Sequence, residues 1–222
     1  TGAVGQKATF TYNGYSGIST LFSEFPMMNG EEFVKLRAAA GQYQNTLDES
    51  DDIYTDWQDL IFQTGTLTSH DVGVTGGTES GSYNFGLGYY KNEGVVPLQE
   101  YERISMRANF DQNIGSLLRV GLTTNNNYAI TDGSSVPAVG MALARSPIAN
   151  PYNEDGSLKE TILEQTSGAQ WVPTNDRFYS LGDKYINQNR SFSSYNSLFG
   201  ELKIPFIDGL KYRINVGLNY RQ

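Results

Sequence analysis

Apolar and polar residues alternate with a period of two along most of the chain. From Leu210 to Tyr220 the even positions read Leu210, Tyr212, Ile214, Val216, Leu218 and Tyr220, against Lys211, Arg213, Asn215, Gly217 and Asn219. The same split sets Ile104, Met106, Ala108 and Phe110 against Arg103, Ser105, Arg107, Asn109 and Asp111. Leu118, Val120 and Leu122 alternate with Arg119, Gly121 and Thr123, and Tyr83, Phe85, Leu87 and Tyr89 with Asn84, Gly86, Gly88 and Tyr90. Each run predicts a strand with one apolar and one polar face. Three further strands are predicted over Val4–Tyr15, Leu67–Thr75 and Arg190–Ile204, making about seven in an all-β fold of antiparallel, up-and-down strands.

Connections alternate as well. Gly76–Gly81, Asn113–Ser116 and Pro205–Gly209 are short turns rich in Gly, Asn, Pro and Asp, whereas Ser16–Thr66, Lys91–Glu100 and Thr131–Asn189 are longer. If consecutive strands are antiparallel neighbours, the short turns gather at one end of the sheet and the long loops at the other. The long loops hold helix signals. Asn29 with Glu32 reads as a capping box that Gly41 can end, Thr55 with Gln58 reads as a second, and a third short helix is predicted over Pro137–Ala144, stopped by Ser146 and Pro147.

Composition narrows the chemistry. With 24 acidic residues against 16 Lys and Arg, a formal net charge of −8 argues against nucleic acid as a partner. The absence of Cys removes disulfides and thiol chemistry, and the single His removes motifs that need two imidazoles. The most apolar windows are too short for a spanning helix. The combination of 24 Gly with 15 Tyr and 11 Phe suits β-structure with tight turns. Because the chain opens at Thr1 without Met or an apolar leader, it is expected to be part of a longer product.

Strands with one apolar face suit either a soluble sandwich, with that face inside, or an outer-membrane barrel, with that face against lipid. Alternation does not choose between them. Small and amide residues on the polar faces, Tyr residues bracketing the apolar stretches of two strands, and the asymmetry of turn lengths all suit the barrel. The soluble alternative remains open on these grounds as a surface β-domain that binds carbohydrate.

Several segments, in order, resemble the SusC/RagA-like TonB-dependent transporters of Gram-negative outer membranes. They are Met27-Met28-Asn29-Gly30-Glu31-Glu32-Phe33 with Leu36-Arg37, Thr55-Asp56-Trp57-Gln58-Asp59 with Ile61-Phe62, and His70-Asp71-Val72-Gly73-Val74-Thr75-Gly76-Gly77. Tyr83 to Tyr89, Asn92-Glu93-Gly94, Arg103 to Asn109, Ala144-Arg145-Ser146-Pro147 and Pro151 to Gly156 continue the resemblance through nearly the whole chain. It implies a segment of a transmembrane β-barrel in the cell outer membrane, with short helices in long extracellular loops. Family barrels have about 22 strands, so residues 1–222 are expected to be the N-terminal part of the barrel, without the plug domain that precedes it and without the remaining strands. The resemblance further implies import of a large nutrient, a glycan or a peptide, with a SusD-like lipoprotein as lid, outer-membrane lipid around the wall and the TonB complex acting through the plug. It implies no enzyme activity, cofactor or resident metal.

Among particular residues, Tyr54, Trp57, Trp171 and Tyr179 fall in the long loops and are candidate substrate-stacking aromatics, although packing of loop against loop is the simpler and favoured explanation. The acidic run Asp48, Glu49, Asp51 and Asp52 lacks the glycine turn and oxygen spacing of a calcium loop and reads as a solvated loop. Asn153, Glu154 and Asp155 before Gly156 read as a turn. No catalytic residues are singled out: His70 and Asp71 are adjacent in a predicted strand, so their side chains point to opposite faces and form no relay together.

Overall fold

The computed structural model describes residues 4–42, 44–133, 137–165, 168–181, 184 and 186–222, with the backbone alone at residue 178. Seven long strands form one antiparallel sheet. In chain order the elements are β1 (Thr9–Ser19), α1 (Gly30–Ala39), β2 (Gly65–Gly77), β3 (Gly81–Glu93), β4 (Glu100–Ile114), β5 (Leu118–Asp132), α2 (Ala138–Leu143), β6 (Thr161–Gln165), β7 (Ala169–Pro173), α3 (Asp176–Tyr179), β8 (Gln188–Lys203) and β9 (Lys211–Arg221). The large sheet runs β1-β2-β3-β4-β5-β8-β9, and β6-β7 forms a separate hairpin. Every pairing in the large sheet is antiparallel between successive long strands. Strands β1 and β9 are its two edges.

Register carries the sequence alternation across the sheet. Tyr83, Phe110, Leu122, Leu198 and Val216 are successive partners and share one face. Thr75, Asn84, Asn109, Thr123, Ser197 and Gly217 are successive partners on the other. The apolar face is not covered. Phe10 is 78% exposed, Val72 51%, Leu87 46% and Leu218 59%, and all the buried hydrophobic residues lie outside the seven long strands. A soluble sandwich would place these side chains in a dry core; here the core lies elsewhere.

The observed strands overlap the predicted ones and reach beyond them at one end or both, but β1 does not start at the predicted Val4. β1 begins at Thr9 and continues to Ser19, past the predicted end at Tyr15. Gly14, Ser16 and Gly17 blur the alternation there, but pairing with His70, Thr68 and Leu67 of β2 carries the ladder on. Connections 78–80, 115–117 and 204–210 lie at one end of the sheet, and 20–64, 94–99 and 133–187 at the other. On the polar face, Phe199 lies across Gly121 and between the guanidinium groups of Arg119 and Arg213, at 5.5 and 4.1 Å. A side chain at Gly121 would meet the ring at 2.1 Å, so glycine is needed for that close approach.

The core sits in the long connections. Trp57, Ile61, Ala142, Ala149 and Ile162 are buried together, with Leu60, Phe62, Val139, Val172 and Tyr179 packed against them. Residues 20–64 and 133–187 therefore fold onto each other as a cap on one end of the sheet. Among the described residues no helix is long and apolar enough to cross a membrane.

Candidate functional site

The cap is built from local signals that the sequence carries and from ties that it does not reveal. Helix α1 starts as expected: Asn29 accepts from Glu32 N–H at 2.9 Å, and Glu32 Oε2 accepts from Asn29 N–H at 3.1 Å. Gly41, at φ +74°, ends it. Helix α2 lies inside the predicted Pro137–Ala144 span. The second capping box is a correction: residues 57–61 form turns, not an α-helix. The Thr55 hydroxyl donates instead to Ala149 O at 2.8 Å, and Gln58 exchanges two 2.8 Å bonds with the Phe25 backbone. Long-range ties have taken both capping groups.

Those ties cluster between the two connections. Trp57 Nε1–H donates to Ser146 O at 2.8 Å, Thr55 N–H donates to Pro147 O at 2.8 Å, and Thr46 Oγ1 donates to Leu163 O. The acidic run is the second correction. Asp48 and Glu49 are buried, not solvated: Asp48 pairs with Lys159 at 2.7 Å, and Glu49 with Arg37 at 3.5 Å. Asp51 and Asp52 stay exposed, where Asp51 accepts from Asn45 at 2.8 Å and Asp52 accepts from the Ser50 hydroxyl. Asn153 to Gly156 form the expected turn, closed by Gly156 N–H donating to Asn153 O at 3.0 Å. No cluster of three or more possible metal ligands occurs among the described residues.

Two buried ion pairs escaped the sequence reading. Arg37 donates through Nη2 to Gln44 O at 2.5 Å and through Nη1 to Asn45 Oδ1 at 3.3 Å, beside Glu49. Arg145 Nη1 lies 3.4 Å from Glu164 Oε2, and Glu164 Oε1 accepts from Ser146 N–H at 2.6 Å. Burial pushes the Glu164 carboxyl above the ordinary carboxylate range, against the opposing pull of that backbone bond and of Arg145. The only hint in the sequence was the alternation of Ile162 and Glu164 in β6, which turns both toward the core.

The four candidate aromatics separate. Tyr54 is 58% exposed and lines, with Trp57, a mostly apolar cavity of about 530 Å³ whose walls include Met27, Met28, Leu36 and Arg145. Burial, with nearby Asp56 and Asp59, raises the Tyr54 hydroxyl pKa. Trp57 is 7% exposed and belongs to the core, so at most an edge of its ring reaches the cavity. Tyr179 packs against the same core, and burial pushes its hydroxyl up to about 12. Trp171 is 63% exposed on β7 and faces a separate open cleft with Lys159 and Asp176. The structure thus offers Tyr54 and Trp171 to a ligand on two different surfaces.

No protein-family model matches the chain. The TonB-dependent receptor SusC of Bacteroides thetaiotaomicron is 30% identical over 243 aligned residues, which take in 100% of this chain and 23% of that protein. The TonB-dependent receptor P26 of Formosa agariphila is 29% identical over 86% of this chain and 20% of its own length. The chain thus spans about a fifth of the curated relatives it matches. A solved structure of the RagAB peptide importer in its closed-closed state superposes with a TM-score of 0.79 at 18% identity, over 99% of this chain and 28% of that one, and its open-open state with 0.78. That likeness is one of fold, and it accounts for a sheet that does not close on itself. Along its length the chain is thus similar in sequence to a segment of TonB-dependent receptors, SusC among them, and its sheet has the fold of part of a β-barrel.

Proposed function

We propose that residues 1–222 form the N-terminal part of an outer-membrane barrel that imports a large nutrient, a glycan or a peptide, together with a SusD-like surface lipoprotein. The apolar face of the sheet meets lipid, the polar face lines the lumen, and the cap faces the cell exterior, where substrate and lid protein arrive. The plug, which the TonB complex pulls, and the remaining strands belong to the rest of the protein.

One observation carries this reading: large apolar side chains stand exposed on one face of a sheet whose backbone groups are paired strand to strand. Such a face is stable against hydrocarbon, and a closed ladder leaves no backbone group unsatisfied there. The soluble carbohydrate-binding alternative has no comparable support, because its core would have to come from the same residues. The likeness to the peptide importer is one of fold and does not choose the cargo, so glycan and peptide both stay within the proposal.

The test is to tag the full-length protein in its native host, fractionate the cells, identify lipoproteins that co-purify, and measure uptake of labelled oligosaccharides and peptides with and without an energised inner membrane. Outer-membrane recovery, a co-purifying lipoprotein and energy-dependent uptake of one cargo are expected. Recovery in the soluble fraction overturns the reading.

A further inference from the structure

Met27, Met28, Leu36, Leu143 and Pro147 line the cavity of about 530 Å³ in the cap, a size within the range of small-molecule sites. Met27, Met28 and Leu36 remain half-exposed, so no described residue fills it. Most polar side chains along its walls already have partners within the cap. The Thr55 hydroxyl is spent on Ala149 O, both ends of the Gln58 amide on Phe25, and Glu164 Oε1 on Ser146 N–H. A sugar, which needs a partner for every hydroxyl it buries, is poorly served by such a lining.

Two donors at the wall stand apart from this pattern. Ser146 is 6% exposed, and its Oγ, like Arg145 Nη1, has no hydrogen-bond partner among the described residues. Both residues line the cavity and flank one carboxylate: Glu164 accepts from Ser146 N–H at 2.6 Å and lies 3.4 Å from Arg145 Nη1. A buried donor left unpaired is costly, and an acceptor delivered through the cavity removes that cost. The Ser146 hydroxyl turns about a single bond, so a small rotation brings it to such an oxygen. Charge limits what can carry the acceptor. Arg37 and Arg145 are each matched by a carboxylate, Glu49 and Glu164, and Asp56 adds a negative charge to the lining. An anion would therefore be buried without a free counter-ion. An ammonium has no place at this wall, because the unpaired groups there are donors.

We infer that the cavity is a binding site for a neutral small molecule with an apolar body and a carbonyl oxygen. The body lies against Met27, Met28 and Leu36, and the oxygen accepts from Ser146 Oγ and Arg145 Nη1. This assignment rests on the geometry of the cap and not on the choice of transported cargo.

Three matched probes test it on the full-length protein in lipid nanodiscs, by titration calorimetry with empty nanodiscs as the blank. Benzylacetone has a ring and a carbonyl, butylbenzene lacks the oxygen, and phenylbutyrate carries a carboxylate. Benzylacetone should bind about fivefold more tightly than butylbenzene, the contribution of one hydrogen bond, and about tenfold more tightly than phenylbutyrate, whose charge must be buried. Ser146→Ala should weaken benzylacetone about fivefold and leave butylbenzene unchanged, whereas general damage to the cap would weaken both. Ala40→Trp, at a lining position, places a ring in the cavity and should abolish binding of all three probes. Met28→Trp serves the same purpose should the first variant fail to assemble. Tightest binding of phenylbutyrate, an advantage of the ketone that survives Ser146→Ala, or binding that persists in the filled cavity overturns the inference. So does absence of binding to the unaltered protein, the result expected if another part of the full-length chain occupies the cavity.

Discussion

Asp48 and Lys159, from the two long connections, meet at 2.7 Å, and the second carboxylate oxygen of Asp48 accepts from Leu163 N–H at 2.7 Å. One side chain thus fixes both a cation and the first strand of the β6–β7 hairpin. The Asp48 side chain is 8% exposed and that of Lys159 19%, a setting where removing one partner of a pair is costly. Asp48→Ala should loosen the cap by about 3 kcal/mol, read as faster amide exchange over residues 159–165 in the full-length protein, with the barrel strands unaffected. Unchanged exchange would show that the hydrophobic core alone holds the cap.

The separation of Trp57 from Trp171 gives a second expectation. Trp57→Ala removes a buried ring and its 2.8 Å bond to Ser146 O, and should destabilise the cap by about 3–5 kcal/mol. Trp171→Ala should leave cap stability within about 0.5 kcal/mol, because the side chain is largely exposed. If Trp171 stacks on a ligand, that variant alone should weaken binding of oligosaccharide or peptide to the full-length protein, measured by titration calorimetry. Loss of binding in both variants without loss of stability would contradict the assignment of Trp57 to the core.

Why the strands were legible and the cap was not follows from where each residue set finds its partners. In β9 every second residue meets the same solvent, so a period of two survives from Tyr212 to Tyr220 without reference to the rest of the chain. The capping box at Asn29 is equally local, with donor and acceptor three residues apart. Thr55 carries the same local signal, yet its hydroxyl bonds Ala149 O far along the chain. Asp48 and Glu49 looked solvated because their cations, Lys159 and Arg37, lie in other segments. The β6–β7 hairpin was missed for a similar reason: Glu164 sits at a core-facing position that polarity alone would place outside.

Alternation itself can be tested by paired arginines on β9. Leu218 and Asn219 are both exposed in this sheet, so a soluble domain would accept Arg at either position. Against lipid they differ. Leu218→Arg should destabilise the full-length barrel by up to about 2–4 kcal/mol, depending on its depth, whereas Asn219→Arg, on the lumen side, should be near neutral. Heat-modifiability of the folded barrel on gels and its yield in outer membranes report the difference. Equal behaviour would remove the lipid assignment of the apolar face.

Packing on the polar face gives a coupled prediction. A side chain at position 121 meets Phe199, so Gly121→Val should cost about 1–3 kcal/mol through displacement of the ring. Adding Phe199→Ala should recover part of that loss, because the two residues are direct partners and their effects are not additive. A double-mutant cycle by denaturant unfolding in micelles measures the coupling. Simple additivity would mean that the strain falls on the β5 backbone and not on the ring.

Protonation of Glu164 sets the sign of the cap's pH dependence. Its carboxyl is held above the ordinary value chiefly by burial, with Glu49 adding in the same direction and Ser146 N–H and Arg145 opposing. In the unfolded chain the group titrates near its ordinary value of 4.5. Between that value and the raised one, the folded cap binds more protons than the unfolded chain, so stability rises as pH falls through the raised pKa and levels off below the unfolded one. Glu164→Gln retains an oxygen that can accept from Ser146 N–H and removes the titrating charge, so it should flatten this response while leaving Arg145 without its counter-ion. Urea unfolding of the cap, followed by the emission of buried Trp57 across this pH range, is the measurement. Identical pH profiles for the two proteins would show that Glu164 is not the group responsible.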